Sequence, residues 1–258
     1  MLVEKDENTI KVIDILRSLS FGAKKIPESP NEGKRADLAA QKEGDHFLIE
    51  VKTRLDHPKL MNELQKASNL EIVEYKKPLF RSNTFSRIVR QAVKQLDETP
   101  DINNSFKLIW FRAEESLIAD ALSFLKVTLY GISYLLVRDR KDRFSWAKCF
   151  YFDMNEFYRF PTLDGVILDN GTAIELCANS FSSKAPAFRK SSMYLFFSKH
   201  DSVTDPHQLE IDQESLVADT PIPRNNRAEI KRFIEEKYNL HAQEMEMNVI
   251  GGVITYTK

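Results

Sequence analysis

Arg35-Ala-Asp-Leu-Ala-Ala-Gln-Lys-Glu-Gly-Asp-His-Phe-Leu-Ile-Glu-Val-Lys-Thr-Arg54 is the stretch that decides the fold. It reads as two short strands joined at Lys42-Glu43-Gly44-Asp45, a charged turn in which Gly adopts positive φ at little cost. With Glu43-Gly44 as a two-residue loop, Gln41 pairs with His46, Ala39 with Leu48 and Asp37 with Glu50. Side chains alternate faces along a strand. One face therefore gathers Ala36, Leu38, Ala40, Phe47, Ile49 and Val51, all apolar. The other carries Asp37, Glu50 and Lys52 at one end. A register that sets Asp37 opposite Lys52 keeps the same three together.

Two carboxylates facing each other across strands repel. A cation between them removes the penalty. Hard divalent ions take oxygen ligands from one or two carboxylates, water and substrate phosphate. An adjacent ammonium, Lys52, can hold a water or a phosphate oxygen. The pattern therefore points to a metal site suited to phosphodiester hydrolysis. The competing reading is a solvated strand face on which Lys52 simply neutralises two acids.

Asp37, twelve residues, then Glu50-Val51-Lys52 on a hydrophobic strand resembles the signature of the PD-(D/E)xK nuclease superfamily, with Arg35-Ala36 where a proline usually precedes the aspartate. The resemblance covers residues 1–140 and implies an α/β fold there, a mixed central sheet flanked by helices. Residues 141–258, where the pattern changes, read as a C-terminal α+β appendage of no recognised type. It implies a Mg²⁺-dependent nuclease, with Mn²⁺ able to substitute. The ion falls to Asp37, Glu50 and the carbonyl of Val51, and catalysis to Asp37, Glu50 and Lys52. DNA is the expected substrate. A catalytically inactive nucleic-acid-binding or interaction module on the same fold is the alternative. The family also places a helix before the hairpin, often with a glutamate that reaches the metal; Glu4, Glu7, Glu28 and Glu32 are the candidates here.

Composition limits the partners. The chain has 258 residues with 37 Lys+Arg against 38 Asp+Glu, a formal charge of −1. A nucleic-acid surface must then be a local patch. Cys149 and Cys177 are isolated and read as reduced, buried thiols. No apolar run approaches membrane-spanning length. The acidic N-terminus does not resemble a targeting peptide, so a cytoplasmic protein is expected. The partner expected is nucleic acid, with DNA foremost; a homodimer is left open, and no membrane is expected.

Elsewhere the periodicity is informative. Residues 8–21 predict a helix on Val12, Ile15, Leu16 and Leu19, stopped at Gly22. Asn83-Thr84 caps a helix from Phe85 to Leu96, with Phe85, Ile88, Val89, Ala92 and Leu96 as its apolar stripe. The family's helix after the ExK strand projects a polar residue toward the site; Gln91 is the first choice for that role and Gln95 the second. Arg87, Arg90 and Lys94 on the same helix, with Arg54 after the strand, are candidates to hold phosphates. Phe106–Arg112 reads as the next buried strand. A helix over 115–125, a strand over 127–137 with Gly131 as a bulge or close packing point, and a domain boundary at Asp139–Arg143 follow. Beyond it come strands at 144–152 and 192–197, a hairpin turning at Asp169-Asn170-Gly171, a helix at 227–238 and a final strand at 248–256.

Overall fold

The computed structural model describes residues 2–27, 35–53, 72–100, 104–113, 118–245 and 249–255. The hairpin turns as the sequence dictates. Glu43 and Gly44 both adopt positive φ, 53° and 88°, the geometry whose twist matches that of paired strands. They join β2 (Leu38–Lys42) to β3 (Asp45–Thr53). Gln41 pairs with His46 and Ala39 with Leu48, and the ladder ends at Leu38 and Ile49. Leu38, Ala40, Phe47, Ile49 and Val51 share one apolar cluster. Ala36 does not join them. It lies beyond the end of β2, packs in the opposite cluster with Leu48, and its N–H donates to Thr99 Oγ1 at 2.7 Å.

Helix α1 (Leu2–Ser18) precedes the hairpin. Its stop is Ser20 rather than Gly22. Ser20 is left-handed at φ 65°, and the Ser20 and Phe21 amides donate to the Arg17 and Leu16 carbonyls, each at 2.9 Å. That pair of bonds closes a helix with an apolar contact across it, here Phe21 against Leu16 in one cluster. Gly22 is thereby released to open β1 (Gly22–Lys25), which pairs antiparallel with β2.

The remaining elements are β4 (Ile72–Pro78), α2 (Asn83–Glu98), β5 (Phe106–Arg112), α3 (Ile118–Tyr130), β6 (Ser133–Arg138), β7 (Phe144–Phe150), α4 (Glu156–Arg159), β8 (Gly165–Asp169) and β9 (Ile174–Ala178). They are followed by α5 (Ala185–Phe188), α6 (Ser192–Lys199), β10 (Val203–Thr204), α7 (Pro206–Ile211), β11 (Leu216–Val217), α8 (Arg227–Tyr238), β12 (His241–Met245) and β13 (Val249–Thr255).

A seven-stranded sheet runs β1-β2-β3-β5-β8-β9-β10. It is mixed: β3, β5 and β8 are parallel, while β1, β2 and β3 are antiparallel, as are β8 and β9. Helices cover both faces. Val12 and Leu16 of α1, Phe188 of α5 and Met193 of α6 pack on Phe47, Ile49 and Trp110. On the other face Val89 and Leu96 of α2, Leu125 of α3 and the four-stranded sheet β11-β7-β6-β12 pack on Leu48, Ile109 and Val166. The protein is thus an α/β fold with a mixed central sheet flanked by helices. Among the described residues no helix is long and apolar enough to cross a membrane.

Three expectations need correction. The charged segment Asp139–Arg143 is a turn between the paired strands β6 and β7, and residues 165–204 supply β8, β9 and β10 to the same sheet as β3. The chain therefore does not divide at residue 140. Val127 to Tyr130 are the last turn of α3, not a strand. Thr128 Oγ1 donates to the Phe124 carbonyl one turn back at 2.7 Å, a bond that lets a β-branched residue sit in a helix. Ser192 to Phe197 are helical, because Ser191 Oγ accepts the Tyr194 amide as an N-cap at 3.3 Å and Met193, Tyr194 and Phe197 fall on one buried stripe.

Gly131 closes α3 with φ 57°, and a Cβ there would lie 2.2 Å from the Asp153 carbonyl oxygen. Both the left-handed backbone and the contact require glycine. Gly131→Ala is expected to lower unfolding stability by at least about 2 kcal/mol. Chemical denaturation measures this, and an unchanged midpoint would contradict it.

Candidate active site

Where β2 leaves β3, two backbone amides lose their ladder partners. Continued pairing would set Ala36 against Val51. Ala36 N–H goes instead to Thr99, and Val51 N–H donates to Asp37 Oδ2 at 2.9 Å. A strand residue turns its N–H and C=O to the same edge. The Val51 carbonyl therefore points to the edge where the Asp37 carboxylate sits. The aspartate reaches that edge at the peptide between Glu50 and Lys52, rather than facing Glu50 within the ladder.

Glu50 and Lys52 project from β3 on the side of Leu48, toward α2. Glu50 is fully buried, at 0% exposure, and the Lys52 side chain retains 19%. Lys52 Nζ donates to Glu50 Oε1 and to Gln95 Oε1 at 2.9 Å. A buried carboxylate is costly unless a cation or hydrogen bonds offset its lost hydration. The ammonium supplies that offset and is itself held in one rotamer by two acceptors.

The glutamine at Lys52 is Gln95, not Gln91. Gln91 lies one turn earlier on α2 and is exposed. The two share one helical row, so composition gives no basis to choose between them; the choice depends on how far α2 slides along β3. Gln95 also ties α2 to the segment before Asp37. Its Nε2 approaches the Arg35 carbonyl at 3.5 Å, and its own carbonyl accepts Thr99 Oγ1 at 2.7 Å. Thr99 then accepts Ala36 N–H. The end of α2 thus fixes the residue next to Asp37. Sequence reading missed Thr99, whose only signal is its place as the helix C-cap residue.

Arg87, Arg90 and Lys94 are exposed on α2, and Lys94 pairs with Glu98 at 3.6 Å. Arg87 stands on the row of Gln91 and Gln95. Glu7 is exposed and pairs with Lys11 at 3.7 Å. It belongs to α1, which covers the sheet face opposite Glu50 and Lys52. The Glu4 side chain, Glu28, Glu32 and Arg54 lie outside the described residues. Both cysteines are buried and free. Burial pushes the Cys177 thiol up to about 12 and also raises Cys149, which keeps both protonated and unreactive.

Among the described residues no three His, Cys, Asp or Glu side chains group as a metal site. The oxygen-bearing groups at this strand end are the Asp37 and Glu50 carboxylates and the Val51 carbonyl. Such a hard, all-oxygen set suits Mg²⁺ or Mn²⁺ and does not suit zinc. Comparison with family models, curated proteins and solved structures finds no match for this chain.

Lys52→Met leaves the Glu50 carboxylate without its ammonium and is expected to cost about 3–5 kcal/mol. Glu50→Gln in the same chain should restore much of that loss, because the strain comes from the stranded charge. Thermal unfolding of the single and double variants checks this; equal destabilisation in both would contradict it.

Proposed function

We propose that this chain is a divalent-cation-dependent nuclease on a restriction-endonuclease-like core, with DNA as its leading substrate. The observation that carries the reading is the Asp37 carboxylate on the amide between Glu50 and Lys52, with Lys52 bridging Glu50 and Gln95. Asp37, Glu50 and the Val51 carbonyl would hold Mg²⁺, or Mn²⁺ in its place. Bound there, the ion supplies Lewis-acid polarisation of the scissile phosphate and makes an attacking water more acidic.

The chain's own groups do the rest. Lys52 presents a fixed ammonium, which stabilises charge that grows on phosphate oxygens without reorganising. Gln95 limits where that ammonium can go, and Thr99 limits where Asp37 can go. Arg87 and Arg90 offer sequence-independent contacts to backbone phosphates. Hydrolysis adds the oxygen of water to phosphorus and breaks one P–O ester bond.

Asp37→Asn and Glu50→Gln are near-isosteric, and the side-chain carbonyl introduced by Asp37→Asn can still accept the Val51 amide. Each is expected to lower Mg²⁺- or Mn²⁺-dependent cleavage of linear DNA by at least about 100-fold; Asp37→Asn should keep the wild-type unfolding midpoint, and Glu50→Gln, which leaves Lys52 without its counter-charge, should fold with a lowered one. Wild-type cleavage by both variants would overturn the assignment. In a binding titration across salt concentrations, Arg87→Ala with Arg90→Ala should reduce the log–log salt slope by about 2; an unchanged slope removes α2 from the interface.

A further inference from the structure

A second pocket, of about 390 Å³, opens beside the start of α2 and the end of α3, where Arg81, Arg224 and Arg227 meet Phe80, Ile132 and Met154. Its volume falls in the range of small-ligand sites. Its charges are balanced unevenly. Arg81 bonds the buried Glu156 at 2.6 Å, a carboxylate also shared with Arg159. Arg227 pairs with Asp153 at 2.7 Å and Glu244 at 2.5 Å. Arg224 has no carboxylate at ion-pair distance among the described residues.

Arg224 is only 3% exposed. Its terminal nitrogens donate to the Ile222, Ala218 and Thr220 carbonyls, and its Nε is buried with no hydrogen-bond partner among the described residues. Burial pushes the guanidinium below its ordinary value. Arginine nonetheless stays charged in proteins. The Tyr158 and Phe181 rings lie 4.3 and 5.3 Å from its Cζ and offset part of that charge, but no carboxylate among the described residues pairs with it. An anionic oxygen in the pocket would supply that counter-charge.

The other wall is apolar and partly open. Phe80 is 60% exposed at the rim, held edge-on to Phe124 with ring centroids 6.2 Å apart. Such a ring offers a surface on which a flat heterocycle can stack. We propose that this pocket binds a 5′-phosphorylated nucleotide, with its phosphate against Arg224 and Arg227 and its base against Phe80 and Met154. The pocket shares no residue with the Asp37, Glu50 and Lys52 cluster. Gln95 and Asn83 are separated by about 18 Å along α2, so one site can be filled without the other.

Calorimetric titration with dTMP, thymidine and inorganic phosphate tests the proposal. One saturable dTMP site is expected, with thymidine and phosphate each at least tenfold weaker. Phe80→Ala and Arg227→Gln, both at solvent-exposed positions, should each weaken dTMP about tenfold, while Asp37→Asn should leave it unchanged. A 5′-phosphorylated pentanucleotide that binds with the same dependence on Phe80 and Arg227 assigns the site to strand ends. Binding of dTMP alone assigns it to free nucleotides. No saturable dTMP binding, or binding unaffected by Phe80→Ala and Arg227→Gln, or binding lost in Asp37→Asn, overturns it.

Discussion

The bond from the Val51 amide to the Asp37 carboxylate is the constraint on which the site depends. A β-ladder normally consumes every amide along its edge. Here the ladder with β2 ends at Ile49 while β3 runs on to Thr53, and at Val51 a side chain takes the place of backbone. An aspartate fits because its carboxylate supplies an acceptor at the right reach. The same edge carries the Val51 carbonyl. Three oxygens from Asp37, Glu50 and Val51 therefore belong to two adjacent residues of β3 and one side chain bonded between them.

The buried Glu50–Lys52 pair adds a second condition. Removing either charge alone is expensive in a dry interior, whereas removing both is tolerated far better. The pair couples function to stability, since the ammonium proposed to act on phosphate is also the hydrogen-bond partner of the buried Glu50 carboxylate. The polar chain Lys52–Gln95–Thr99–Ala36 extends that coupling to α2. A satisfied network of this kind holds its members rigidly, which is the property that a preorganised site needs.

The sequence was most readable where local rules decide the outcome. Glu43-Gly44 set the hairpin register, because two adjacent residues at positive φ permit few alternatives. The stripe of α2 and the strand Phe106–Arg112 followed from periodicity and bounded apolar runs. The reading failed where tertiary partners overrode local preference. Val127 and Thr128 are β-branched, yet the carbonyl of Phe124 and the packing of Leu125 and Leu129 keep them helical. Asp139–Arg143 looked like a boundary because charge runs mark surfaces, and a hairpin tip is also a surface. Nothing local announces that β8 returns to pair with β5. At the candidate site, the hairpin spacing put Asp37, Glu50 and Lys52 at one end of the ribbon, and the structure bonds Asp37 to the Val51 amide and Lys52 to Glu50. Gln95 over Gln91, and Thr99 at all, required knowing how α2 lies against β3.

Asp37, Glu50 and the Val51 carbonyl are proposed to form one cation site. Calorimetric titration of the metal-free protein with Mn²⁺ tests this without any substrate. One saturable site is expected in the wild-type chain, lost in Asp37→Asn while the thermal unfolding midpoint stays near that of the wild type. Undiminished Mn²⁺ binding in a folded Asp37→Asn chain, or no binding to the wild type, would contradict it.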